Sequence, residues 1–235
     1  MNARTNDHGQ PIGPAVEHTP PPLPADVVLT GVGVRLEPVA RHHTAALHHA
    51  LCSERDDNLW TYRSDERPRT VAELAARIDE WAAAETVTFA IVPVETGQAA
   101  GLATLMRADA AHGSVEVGAI VFGRQLQRSR AATEAMALLM RHVFEDLGYR
   151  RYEWKCDSLN APSRRAAIRL GFIWEGRFRQ AVVYKGRSRD TDWFSITDGE
   201  WPRVRRALEE WLDDRNFDDA GRQRVRLAAR PAAAD

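Results

Sequence analysis

Between Ser114 and Gly148 the chain reads SVEVGAIVFGRQLQRSRAATEAMALLMRHVFEDLG, and most of its chemistry-bearing residues lie in or just after this stretch. An alternating strand from Val115 to Phe122 runs into a short cationic loop. The loop opens directly into a helix, about Ala131 to Leu147, with no proline or glycine inside it. Such a turn aims several backbone N–H groups and the positive end of a helix dipole at one spot, which suits the pyrophosphate of a nucleotide-like cofactor. Arg128 and Arg130 stand where such loops usually carry glycine. The loop N–H groups donate whatever the side chain is, and a guanidinium can itself reach a phosphate. Glu116, placed by strand alternation on one face with Gly118 and Ile120, opposite Val115, Val117 and Ala119, is a candidate base that would act through a water. The bland alternative is a carboxylate on a solvated sheet face. Further on, Asn160-Ala161-Pro162-Ser163 offers a favoured helix N-cap, a first-turn proline and a hydroxyl.

The elements that must position these groups follow from periodicity. One or two strands are expected between Val27 and Glu37, broken by Gly31 and Gly33, then a weakly periodic helix around Arg41 to Leu51. Asp56 to Arg69, with Trp60 and Tyr62, reads as a loop. Thr70 caps the next helix with Glu73 three residues on, and Val71, Leu74, Ile78 and Trp81 form its apolar stripe. A hairpin is expected from Val87 to Val94 and Ala99 to Met106 around Glu95-Thr96-Gly97. After the long helix, Tyr152, Trp154 and Cys156 alternate with Glu153, Lys155 and Asp157, a half-buried strand that should run parallel to Val115–Phe122. A short helix from about Pro162 ends at Gly171, a closing hairpin (Phe178 to Tyr184, Asp192 to Ile196) turns around Gly186, and Val204, Leu208, Trp211 and Leu212 mark a last amphipathic helix. This order predicts a mixed α/β fold with a mostly antiparallel sheet of about seven strands flanked by helices.

Composition narrows the function classes. A chain of 235 residues with 44% hydrophobic content can bury a real core, and a formal net charge of −1 gives no global pull toward nucleic acid or an anionic membrane. Lys155 and Lys185 are its only lysines, so arginine carries nearly all the positive charge. Cys52 and Cys156 are too few for a disulfide framework or a zinc site. With no long apolar run and no signal-peptide core, the expectation is a cytoplasmic protein. Residues 1–25, with the run Pro20-Pro21-Pro22-Leu23-Pro24, read as a disordered leader; 26–214 as the folded domain; 215–235 as a charged, alanine- and arginine-rich tail or helix.

Three ordered motifs carry a family likeness. Gln125-Leu126-Gln127-Arg128-Ser129-Arg130-Ala131-Ala132-Thr133-Glu134-Ala135 is similar to a pyrophosphate loop Q/R-x-x-G-x-G/A followed by an A-T-E-A helix start. Asn160-Ala161-Pro162-Ser163 with Gly171-Phe172 resembles an N-x-x-S…G-F signature. Glu175-Gly176-Arg177 with Asp190-Thr191-Asp192-Trp193-Phe194 resembles an E-G…D-x-x-x-[YF] ending. Together, over roughly Val27 to Asp214, the chain resembles the GNAT superfamily of acyl-CoA-dependent N-acetyltransferases, within it the RimJ/RimL-like branch.

The resemblance implies a GNAT fold whose splayed parallel strand pair takes acetyl-CoA as co-substrate, with no metal. It implies cofactor contacts from Val121, Phe122, Gln125, Arg128, Ser129, Arg130, Ala131, Ala132, Thr133, Asn160 and Ser163. Many members place a tyrosine on this helix, four residues before the Gly-Phe pair, to protonate the departing thiolate; here that place is Ala167, and Ser163 is the implied substitute. Glu116, Trp60 and Tyr62 fall on the implied acceptor side, where the aromatics either stack on the acceptor or fill core. The implied partner is an amine, a protein N-terminus or a small molecule, met by a monomer or homodimer. A catalytically idle acyl-CoA-binding module is the alternative.

Overall fold

In the computed structural model, which describes residues 4–227 and 229, two glycines shape the first edge of the main sheet. Before that edge, β1 (Arg4–Thr5) and β2 (Pro11–Ile12) pair antiparallel within the expected leader, Pro21 is buried, and Tyr149 donates its hydroxyl proton to the Pro22 carbonyl at 3.2 Å. The chain then enters β3 (Leu29–Thr30), turns at Gly31–Gly33 and returns as β4 (Val34–Pro38).

A 3-10 turn at Arg41–His43 leads into α1 (Thr44–Leu51), and a second 3-10 turn at Glu54–Trp60 occupies the expected loop. In α2 (Val71–Ala82) the Thr70 hydroxyl accepts the Glu73 N–H, while the Glu73 carboxylate reaches back to the Arg69 N–H. Leu74 and Ile78 are fully buried, each stabilising by about 1.5–3 kcal/mol. Val71, expected in that stripe, is exposed.

The hairpin β5 (Val87–Pro93) and β6 (Gly101–Asp109) is followed by β7 (Ser114–Phe122), then α3 (Arg130–Arg141), which widens into a π turn at His142–Asp146. The strand β8 (Arg151–Asp157), α4 (Ala161–Arg169), the hairpin β9 (Ile173–Tyr184) and β10 (Arg187–Thr197), and α5 (Trp201–Leu212) complete the order. The main sheet has eight strands in the order β3-β4-β5-β6-β7-β8-β10-β9, because the segment from Val27 to Glu37 forms two strands, β3 and β4, rather than one. Only β7 and β8 run parallel; every other neighbouring pair is antiparallel.

Two apolar cores clamp the sheet. One joins α3, α4 and α5 to Val115, Val117, Tyr152, Trp154, Cys156, Phe172 and Phe194; the other joins α1 and α2 to Ala90, Val92, Leu102 and Val121. Beyond α5 the chain keeps packing: Phe217 meets Trp211 edge-on at 5.2 Å, and Leu227 and Ala229 are buried. The rest of the expected tail, 228 and 230–235, lies outside the described residues. No helix among the described residues is long and apolar enough to cross a membrane.

Candidate active site

The parallel ladder between β7 and β8 is short. It pairs Ser114 with Arg151, Val115 with Tyr152, Glu116 with Glu153 and Val117 with Trp154, and then stops. Past Val117, β7 stays with β6 through Val121 and Phe122, while β8 stays with β10 through Cys156 and Asp157. The strands therefore part in mid-sheet, exposing backbone edges that an extended ligand with amide groups can bond.

A bulge sets where β7 turns away. Three residue steps on β7, Gly118 to Val121, oppose two on β6, Leu102 to Thr104, and Ala119 takes φ 50°. The bulge reverses the alternation expected from sequence: Ile120 packs against the α3 core, and Val121 joins the α1–α2 core. Glu116 and Ile120 thus do not share a face. The freed Ala119 carbonyl accepts a proton from Arg63 Nη1 at 2.6 Å.

The loop after Phe122 is folded by its own backbone. Leu126 N–H and Gln127 N–H both donate to the Gly123 carbonyl, and buried Leu126 pins the loop to the core. Gln125 and Arg128 are exposed, and Arg128 sits at φ 60°, the left-handed conformation for which glycine would be the easy choice. Ser129 caps α3, its hydroxyl accepting the Ala132 N–H at 3.0 Å. That leaves the first N–H groups of the helix, at Arg130 and Ala131, without an intrahelical acceptor, at the positive end of the helix dipole.

Arg130 is engaged elsewhere. It donates to the Leu212 carbonyl, pairs with Asp214 at 2.7 Å and lies 4.6 Å over the Phe217 ring. Thr133 is buried and accepts from Arg169, whose guanidinium stacks on Trp211. Glu134 turns away from the loop and holds the β3–β4 turn, accepting the N–H groups of Val32 at 2.6 Å and Gly33 at 2.9 Å.

On the β8 side, Asn160 caps α4 by accepting the Ser163 N–H at 3.2 Å. The Ser163 hydroxyl, half-buried, accepts the indole N–H of Trp154 at 3.0 Å. It also lies beside Cys156, whose thiol burial pushes up to about 11 despite that hydroxyl. Ala167 is fully buried, so α4 presents core rather than an acid at that turn. Asp157 closes β8 by accepting from Leu159 N–H and from the Tyr184 hydroxyl at 2.8 Å, and burial followed by that carboxylate pushes the phenol up to about 12.

Glu116 is 3% exposed and is no solvated surface group. Its Oε2 receives both Arg107 Nη1 and Lys155 Nζ at 2.8 Å; its Oε1 points along the strand toward Gly118. Lys155 also pairs with Glu153 at 2.8 Å and lies 3.8 Å over the Trp193 ring. Arg151 extends the set by bridging Glu153 and Glu175; its hydrogen bond is the main cause that holds the Glu175 carboxyl below its usual range.

The 3-10 turn at Glu54–Trp60 lies over this side. Trp60 is core: it is 2% exposed, and its indole donates to the Leu51 carbonyl at 2.8 Å. Tyr62 reaches across the opening to donate to the Leu159 carbonyl at 3.1 Å. Lys185 and Arg187, at the tip of β9–β10, hold the Trp60 and Thr61 carbonyls. Between tip and turn runs a cleft of about 800 Å³ lined by Trp60, Thr61, Arg67, Arg69, Lys185 and Arg187 among others. The structure places Glu116 with Arg107 and Lys155, Ser163 against Trp154 beside the Asn160 cap, and Tyr62 on the Leu159 carbonyl, and leaves Trp60 in the core and Arg130 on the C-terminal segment. Sequence reasoning passed over Trp154, Lys155, Asp157 and Tyr184. Lys155, one of two lysines in the chain, was the signal available for one of them.

Among the described residues, one cluster elsewhere invites a metal: Glu37, His42 and His43. The Ala40 N–H donates to His43 Nδ1 at 3.1 Å, so the neutral ring carries its proton on Nε2, where it meets Glu37 at 3.2 Å. That nitrogen has no lone pair to offer a cation.

Residues 34–173 match the family described as the acetyltransferase (GNAT) domain. The chain belongs to the GNAT acetyltransferase family. In that family an acetyl group moves from acetyl-CoA. A GCN5-related N-acetyltransferase from Brucella melitensis is 44% identical, with a TM-score of 0.87 over 89% of this chain and 96% of that one. A probable acetyltransferase of the GNAT family from Chromobacterium violaceum is 35% identical, with a TM-score of 0.75 over 82% and 99%. An uncharacterized N-acetyltransferase, p20, from Bacillus licheniformis is 31% identical over 113 residues, 48% of this chain and 63% of its own length.

Proposed function

We propose that this GNAT chain transfers an acetyl group from acetyl-CoA to a primary amine by direct attack within a ternary complex, as a RimJ/RimL-like enzyme acting in the cytoplasm on a protein N-terminus or a small-molecule amine. The observation that carries the reading is the parting of β7 and β8 after Val117 and Trp154, with the α3 N-terminus at its mouth. The pantetheine amides bond the freed strand edges near Val121 and Phe122 and the loop at Asn160. The pyrophosphate rests on the N–H groups of Arg130 and Ala131, with Gln125, Arg128 and Ser129 forming the loop around it and the Arg128 guanidinium adding charge; Ala132 and Thr133, bonded to Ser129 and Arg169, shape the helix start behind it.

The amine enters from the face that carries Glu116, Tyr62 and the β9–β10 tip. Glu116 Oε1 accepts its proton through a water, the nitrogen attacks the thioester carbon, the C–S bond breaks, and Ser163 protonates the thiolate. Orientation and proton transfer supply the acceleration. No step calls for a metal.

The test is mass spectrometry of products after acetyl-CoA is offered with pooled amines and N-terminal peptides; an acetylated amine supports the reading. One observation favours a second reading, an acyl-CoA-binding module without turnover: the buried Ala167 where relatives place an acid. Thermal stabilisation by CoA without thiol release across that amine panel would decide for it.

A further inference from the structure

Trp154 stands at the last rung of the parallel ladder, opposite Val117, so its side chain lies where β7 and β8 begin to part. It is 5% exposed, and its ring meets Phe172 edge-on at 5.5 Å. Its indole N–H donates to Ser163 Oγ at 3.0 Å across nine residues of sequence. A serine hydroxyl has one proton and two lone pairs. The indole takes one lone pair and, being a donor, repels the hydroxyl proton from its own side. The Asn160 cap fixes the serine backbone through the Ser163 N–H. What remains for the hydroxyl proton is the side turned away from the indole.

We infer that Trp154 is a positioning residue for acetyl transfer: its indole N–H aims the Ser163 proton into the strand opening and stabilises the oxygen that gives it up. This rests on the reading of Ser163 as the group that protonates the leaving thiolate. In that step the amine nitrogen bonds the acetyl carbon, the C–S electron pair goes to the CoA sulfur, and the sulfur takes the Ser163 proton. The alkoxide keeps the indole hydrogen bond and is reprotonated by the proton lost from the amine, delivered through solvent. A hydrogen bond to a developing charge is stronger than one to a neutral hydroxyl, so the indole helps the transition state more than the ground state.

The test is a double-mutant cycle of Trp154→Phe, which keeps an aromatic ring and removes the N–H, with Ser163→Ala. Rates are measured by thiol release with the best acceptor found, beside the CoA Kd and Tm of each variant. Trp154→Phe is expected to lower kcat about five- to tenfold at unchanged CoA Kd, the worth of one hydrogen bond. In the Ser163→Ala background the same substitution should change kcat by less than about twofold. An equal loss in both backgrounds, or a loss confined to Tm, overturns the positioning role. Wild-type kcat in Ser163→Ala instead overturns the reading beneath it, and the two failures are distinct. If Trp154→Phe does not fold, the intact side chain gives a second readout: the indole ¹⁵N–¹H peak that moves in Ser163→Ala should move again when CoA binds. A peak that stays still on binding counts against the proposal.

Discussion

The Lys155 ammonium lies 2.8 Å from Glu116 Oε2, so this buried strand carboxylate is already ion-paired within the chain. Arg107 meets the same oxygen, which leaves Oε1 as the oxygen able to hold a water. Such a pair does not make Glu116 idle. It fixes the orientation of a carboxylate with little solvent exposure, provided both cations stay in place.

Glu116→Gln should fold, because Lys155 keeps Glu153 as its partner. Its kcat should fall by about 10²-fold or more, the range of a lost general base. Thiol release at several pH values checks this; an unchanged kcat and profile would remove Glu116 from the mechanism.

The two loop arginines should separate. Arg128 is exposed in a left-handed conformation, so Arg128→Ala should leave Tm nearly unchanged and raise the CoA Kd about tenfold through one lost charge-assisted hydrogen bond. Arg130→Ala should mainly lower Tm, since it breaks the contacts with Leu212, Asp214 and Phe217. Calorimetric CoA titration beside thermal melts of both variants decides it, and the reverse pattern would contradict the assignment.

The Tyr152 hydroxyl is buried with no hydrogen-bond partner among the described residues, and burial raises its pKa well above the ordinary phenol value. A buried unsatisfied hydroxyl costs about 1–3 kcal/mol. Tyr152→Phe should therefore keep or raise Tm. A fall of more than about 4 °C would mean that the hydroxyl is bonded in solution.

Asp192 is fully buried. Burial alone would raise its pKa, but the Arg177 hydrogen bond and charge and the Arg164 charge outweigh it and hold the carboxyl below its usual 3.8. The unfolded chain therefore takes up this proton first as pH falls. The stability Asp192 contributes is full above about pH 5 and is lost from there down through its lowered folded value. The Tm gap between wild type and Asp192→Asn should narrow between about pH 5 and pH 3; a gap constant over that range would rule the linkage out.

Much of the site's frame was legible in the chain because local rules govern it. The Thr70 and Asn160 caps, the alternation of Tyr152, Trp154 and Cys156, and the glycine at the end of α4 are short-range patterns, and each formed. The face of Ile120 was misread because a bulge adds one residue to β7, and strand alternation assumes none. Trp60 could have been core or ligand-facing from sequence. Its bond to the Leu51 carbonyl settled that, and a bond nine residues back through a turn leaves no periodic trace.

By itself the sequence determined the family, the order of elements and the place of the strand–loop–helix turn, since these depend on residue types at short spacing. Tertiary structure alone decided which groups meet. Trp154 and Ser163, Lys155 and Glu116, Arg130 and Asp214, and Glu134 and Gly33 are each joined only when strands and helices distant in the chain are packed side by side. A hydrogen bond or ion pair is set by a few tenths of an ångström. Residue spacing along the chain fixes elements, and only their packing fixes distances of that size.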